Sequence, residues 1–160
     1  MTTKSPPDIT VFDIADWFLV RAKSENKDLK HMKLQKLVYF AYGWYYAYFD
    51  KALFPETICA WQHGPVVETL YQEYKHFKKY PIDTDGISCP LFDEDVRSIL
   101  GDVWETYAPC TDTHLRNITH RPDSPWSKVY NSRDRSIEIP PSDIHHYFTS
   151  LKNEYDNAQT

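Results

Sequence analysis

Cys59 and His63 stand four residues apart, and His145 and His146 are adjacent. Both residue types ligate zinc, but zinc sites usually bring two such clusters at ligand spacing. These pairs lie far apart without matching partners, so no metal or other cofactor is expected and the histidines read as scattered. Cys59, Ser124 and Ser127 are candidate nucleophiles, with His63 and His120 as candidate bases. Triads are set by spatial geometry rather than sequence distance, and no GxSxG elbow can be written. A hydrolase-like enzyme using His63 or His120 is therefore the alternative, and a chain with no catalytic residues the leading expectation. Two basic clusters remain, Lys30-His31 with Lys33 and Lys36, and Lys75 with Lys78 and Lys79. Either could meet an acidic patch on a partner protein, or lie on a solvated face with the stems covering apolar surface.

Composition narrows the classes. A length of 160 residues suits one domain over 1–160 with a continuous core. The formal net charge of -5 argues against nucleic acid as the main partner. With 4 glycines, neither GxGxxG nor GxxxxGK[ST] can be written. Three cysteines without CxxC spacing suggest neither a disulfide framework nor a zinc ribbon. The first residues carry no apolar signal segment, and the most apolar stretch, 34–49, is short for a bilayer span. A reducing cytoplasm and no membrane are the resulting expectations.

The elements that would position these residues are mostly helical. Residues 1–9, with Pro6 and Pro7, read as a loose arm. Thr10 caps a helix over about Val11–Lys23, with Ile14, Ala15 and Phe18 on one face. Met32–Asp50 reads as a long helix. Leu34, Leu37, Val38, Ala41, Tyr45 and Tyr48 form one stripe, while Tyr39, Phe40, Tyr42, Trp44 and Tyr46 make the other side apolar too. A helix apolar all round is normally the buried central one. Gly43 lowers its propensity but lets a neighbour come close. Thr57–Gln62 alternates as a short extended segment, and Gly64-Pro65 reads as a helix start with Pro65 in the first position. Tyr80–Pro90 is a loop. Asp93, Thr111, either Asp123 or Ser124, and Ser142 read as caps of four further helices, and Ile137–Ile139 as a strand beside Ile58. The tail over 156–160 is expected to fray. The expected fold is thus mainly α: a compact multi-helix domain around a buried central helix, with a small extended or β insertion.

Three stretches stand out: Lys33-Leu34-Gln35-Lys36-Leu37 with Tyr39, Ala41 and Trp44; Ala60-Trp61-Gln62-His63-Gly64-Pro65-Val66-Val67 with Tyr71; and Thr119-His120 followed by Pro125-Trp126. In this order, with Leu53-Phe54 between the first two, they resemble the SocA-like antitoxin family, also called the Panacea domain and, in older descriptions, phage-associated or GepA-like protein. The resemblance covers about Ile9 to Phe148. One departure is Lys30, where the family often has a capping Thr; lysine has no oxygen to accept a backbone N–H.

The resemblance implies an antitoxin that neutralises a cognate toxin by direct binding. It also allows a proteolytic adaptor that hands the toxin to a protease. Some members add a DNA-binding module, for which this chain is expected to have no room. Lys33, Lys36, Trp61, His63, Pro65, His120 and Trp126 are the candidate partner-binding residues. Trp61 and His63 lie beside the expected helix start, and aromatics next to cations are the usual composition of an interface hot spot.

Overall fold

The computed structural model describes residues 3–134 and 136–159. It is mostly helical, with a small three-stranded antiparallel sheet. The helices are α1 (Val11–Ser24), α2 (His31–Phe49), α3 (Glu68–Tyr74), α4 (Glu94–Tyr107), α5 (Asp112–Thr119), α6 (Pro125–Val129) and α7 (Pro141–Ala158). The strands are β1 (Ile58–Trp61), β2 (Gly64–Val67) and β3 (Ile137–Glu138), in the order β2-β1-β3. No helix among the described residues is long and apolar enough to cross a membrane.

Local chemistry explains most helix starts. Thr10 and Asp13 form a reciprocal capping box on α1. The side chains of Asp93, Thr111 and Ser124 accept backbone N–H bonds from Val96, His114 and Ser127. Each such cap contributes about 1 kcal/mol. Lys30, at the head of α2, makes no side-chain cap bond, as its chemistry requires.

α2 touches α1, α3, α4, α5, α7 and β2. Leu34, Leu37, Val38 and Ala41 are fully buried. The Phe148 ring of α7 lies against Gly43, where a Cβ would come within 2.3 Å of it. The close approach foreseen at this glycine is therefore that of a ring rather than a backbone.

Two expectations need correction. Gly64-Pro65 does not open a helix. Gly64 has φ 132, outside helical space, and Gly64–Val67 pairs antiparallel with β1 in the register Trp61↔Gly64 to Ile58↔Val67. Proline at a helix start and proline on a sheet edge look alike in sequence; the β-branched Val66-Val67 pair decides for the strand. Ser142 is not a cap, because α7 begins one residue earlier with Pro141 in its first turn. The stretch read as a loose arm is anchored where described: Lys4 donates its N–H to Leu91 and accepts from Asp93, and Ile9 is buried. At the other end, α7 is helical through Ala158, into the stretch read as fraying. Residues 1, 2 and 160 lie outside the described residues.

Candidate functional site

The three sequence stretches converge on the β1–β2 hairpin. Gln35 projects from α2 and grips Val67: its Nε2 donates to the Val67 carbonyl at 3.1 Å, and its Oε1 accepts the Val67 N–H at 2.9 Å. Val67 is the last residue of β2, so one amide side chain satisfies both backbone groups where the strand gives way to α3. All four polar atoms are buried with their partners, which makes the pair costly to break.

Gly64 lies where α2 and α5 meet the hairpin. A Cβ there would stand 3.1 Å from Thr119 Oγ1 and 3.6 Å from Lys36 Cε, and the positive φ already disfavours any side chain. Thr119 is 2% exposed, and its hydroxyl donates to the Arg116 carbonyl. The buried Ser124 hydroxyl donates to the Thr119 carbonyl at 2.8 Å while capping α6. That turn carries Trp126, whose indole N–H donates to the Trp61 carbonyl at 2.6 Å. His120 stacks on Trp126 at 3.6 Å, and Trp126 on Tyr130 at 4.5 Å, giving a pile of three rings against the hairpin. Trp61 itself packs edge-on against Tyr71 at 4.8 Å and donates to Ser136 Oγ, which in turn donates to Glu68.

The structure therefore brings Lys36, Trp61, His63, Pro65, His120 and Trp126 into one neighbourhood, with different exposures. His63 and Gln62 form the exposed hairpin turn. Trp61, His120 and Trp126 are half-buried, and Pro65 is buried. Lys36 is only 5% exposed, has no hydrogen bond or ion pair among the described residues, and has its ammonium pKa lowered, chiefly by burial. Lys33 faces elsewhere: its ammonium donates to the carbonyls of Ala108 and Cys110 just past α4, where the helix dipole favours a cation. A groove of about 780 Å³ opens beside the hairpin, walled by Met32, Trp61, Gln62, His63, Tyr130 and Asn131. Tyr130, Asn131 and Ser136 were not read from the sequence. They reach the groove through loops that carry no periodic signal, and only their nearness to Trp126 and the short β3 could have pointed to them.

The candidate nucleophiles are engaged otherwise. Burial pushes the Cys59 thiol above its usual value. Ser124 and Ser127 give their hydroxyl protons to backbone carbonyls. Burial, then the charges of Arg116 and Lys36, lower the His120 pKa to about 4, which makes it a weak base. Among the described residues no group of three or more His, Cys, Asp or Glu side chains could hold a metal ion.

This geometry defines a helical scaffold built to hold a hairpin and the groove beside it. Residues 34–127 match the family model described as antitoxin SocA-like, Panacea domain. That is more than half of the chain, and the chain belongs to this family. It is also 24% identical over 148 residues to "Antitoxin SocA" of Caulobacter vibrioides (strain NA1000 / CB15N), an alignment covering 86% of this chain and 79% of that protein. No solved structure matches the chain. The matched segment contains Gln35, Gly64, Thr119 and Trp126, so the interlock just described lies within the part common to the family.

Proposed function

We propose that this chain is an antitoxin that neutralises a cognate toxin by direct protein–protein binding, without chemistry of its own, and that the hairpin groove is part of the contact surface. Membership of an antitoxin family carries the first part of the reading. The convergence of the three stretches on one exposed, aromatic-walled hairpin supports the second. Trp61, His63 and Trp126 are the contact residues in this reading. Lys36, Pro65 and His120 hold the hairpin in place from behind, and Lys33 secures α2 to the end of α4. The net charge of -5 favours a protein partner over nucleic acid, and a cytoplasmic setting fits three free cysteines.

The test is co-expression of this gene with each neighbouring reading frame, scored for rescue of growth. One neighbour should be toxic alone and harmless beside this chain. His63→Glu and Trp61→Ala should each lower toxin affinity at least about tenfold, the size of a modest hot spot, with the melting temperature of His63→Glu nearly unchanged. Toxin affinity untouched by both substitutions would move the contact surface away from the hairpin. Absence of any rescued neighbour would remove the antitoxin reading itself.

A further inference from the structure

A second surface lies toward the other end of α2. Trp44 stands 12 residues beyond Met32 of the hairpin groove, on the order of 18 Å along the helix. Here two cavities of about 440 and 450 Å³ meet at Trp44, Tyr107 and Tyr155, which wall both; the first lies among α2, α4 and α7 and the second among α2, α5 and α7, and together they make the α4–α7 groove. Its rim is aromatic and open: Tyr48 is 45% exposed and Tyr155 59%. Exposed aromatics gathered at a groove are the kind of apolar patch that marks an interaction site. At its floor the Tyr39 hydroxyl is buried without a hydrogen-bond partner among the described residues.

Charge identifies the occupant. Asp102 and Glu105 on α4 and Glu154 on α7 line the groove, with Arg121 at its far end and Lys152, paired with Asp156, beside the rim. Glu105 is shared with Arg21 at 3.1 Å, while Asp102 and Glu154 have no ion pair among the described residues. The aromatic faces already hold one ammonium: Lys152 lies 5.1 Å from the centre of the Tyr48 ring. An apolar floor, unpaired carboxylates and cation-receiving rings suit a segment with apolar side chains on one face and Lys or Arg beside them. A second copy of this chain would bring the same acidic rim to meet its like.

We propose that the α4–α7 groove docks a basic, apolar-faced segment of the partner protein, an inference that rests on the antitoxin reading for the identity of that partner. One wall, from α2 and α4, lies inside the family-matched segment 34–127, and the other, α7, lies outside it.

The probe is a synthetic amphipathic peptide of Leu and Lys, about four helical turns long, titrated calorimetrically into the full chain. A Leu and Glu peptide of the same pattern is the comparison. The Lys peptide should bind saturably, at least about tenfold more tightly than the Glu peptide, and more weakly as salt rises. Asp102→Lys with Glu154→Lys should cost about tenfold or more in its affinity, and Tyr155→Ala should weaken it, both at unchanged melting temperature. The exposed and distant Lys128→Glu should leave binding as it was. Equal binding of both peptides, or indifference to the groove substitutions, overturns the proposal. So does a sedimenting dimer abolished by Tyr155→Ala, which would assign the groove to a second copy. Peptide binding with these properties alongside no rescued toxin would retain the groove and remove the antitoxin reading, so the two failures can be told apart.

Discussion

The hairpin junction and the α4–α7 groove are both rich in aromatic rings, yet they are held by different physics. At the junction directional bonds set the backbone, although the Lys36 ammonium and His120 Nε2 have no hydrogen-bond partner among the described residues. Gln35 binds both backbone groups of Val67, Ser124 binds Thr119, Trp126 binds the Trp61 carbonyl, and Gly64 has a positive φ and stands close to Thr119. In the groove, the Trp44 indole N–H to Tyr107 hydroxyl bond is the main side-chain bond, and the rest is ring against ring: Phe40 on Tyr107 at 3.9 Å, Trp44 on Phe148 at 5.3 Å, Tyr39 on Phe148 at 5.5 Å. Directional bonds fix one geometry, whereas ring contacts tolerate small changes of partner. The junction thus sets where the hairpin stands, and the groove can vary in what it accepts.

The largest expected effect falls on the junction. Gln35→Leu keeps the volume but leaves the Val67 N–H buried and unpaired and the Val67 carbonyl with only its bond in the first turn of α3. A loss toward the upper part of about 1–3 kcal/mol is expected in denaturant unfolding. A loss below about 0.5 kcal/mol, the range of neutral surface substitutions, would mean that the strand pairing alone holds β2 and that the comparison is overdrawn.

The second effect belongs to the groove's floor. In an isolated helix Gly→Ala gains about 1 kcal/mol. At Gly43 the new Cβ would stand 2.3 Å from ring carbons of Phe148, which is 1% exposed and cannot swing into solvent. Overpacking of this kind typically costs about 1–3 kcal/mol, so Gly43→Ala should lower the melting temperature. A rise would show that α7 can shift on α2, and that the groove is softer than its contacts indicate.

The sequence disclosed the two regions unequally. Caps at Thr10, Asp93, Thr111 and Ser124 were legible because a side-chain oxygen followed by a periodic apolar run has one common use. The strand character of Ile58 and Ile137 showed in alternation and β-branching. The turn from β1 into β2 was not legible, since Gly-Pro serves helix starts and strand edges alike and only the pairing of Val66-Val67 resolves it. Lys33 and Lys36 read as surface charges, because nothing local reveals that Lys33 will reach carbonyls some 75 residues away at Ala108, or that Gly64 will pack on the Lys36 stem. The groove went unread because its walls come from four helices, α2, α4, α5 and α7, whose stripes each look like ordinary core.

The smallest effect separates the regions by pH. The shifted groups of the groove are tyrosines, Tyr39, Tyr107 and Tyr147, all raised mainly by burial, so they are silent in acid. The junction holds His120, whose pKa is lowered to about 4 by burial and by the charges of Arg116 and Lys36. Unfolded, it would titrate near 6.5. Between these values the unfolded chain binds the extra proton, so His120 contributes stability that is present above about pH 6.5 and is lost as pH falls toward 4. Asp16 works in the opposite direction, raised to about 6 by burial and by Asp13 and Glu73, and His31 in the same direction as His120. The raw pH profile is therefore a sum, and the informative quantity is the difference between wild type and His120→Gln, in which the other two cancel. Wild type should lose more stability than the variant over that interval. The His120 ring proton shifts should show titration near pH 4 in the folded protein. Titration near 6.5 would mean that the ring is open to solvent, and the stack on Trp126 would then be no firmer than the contacts that line the groove.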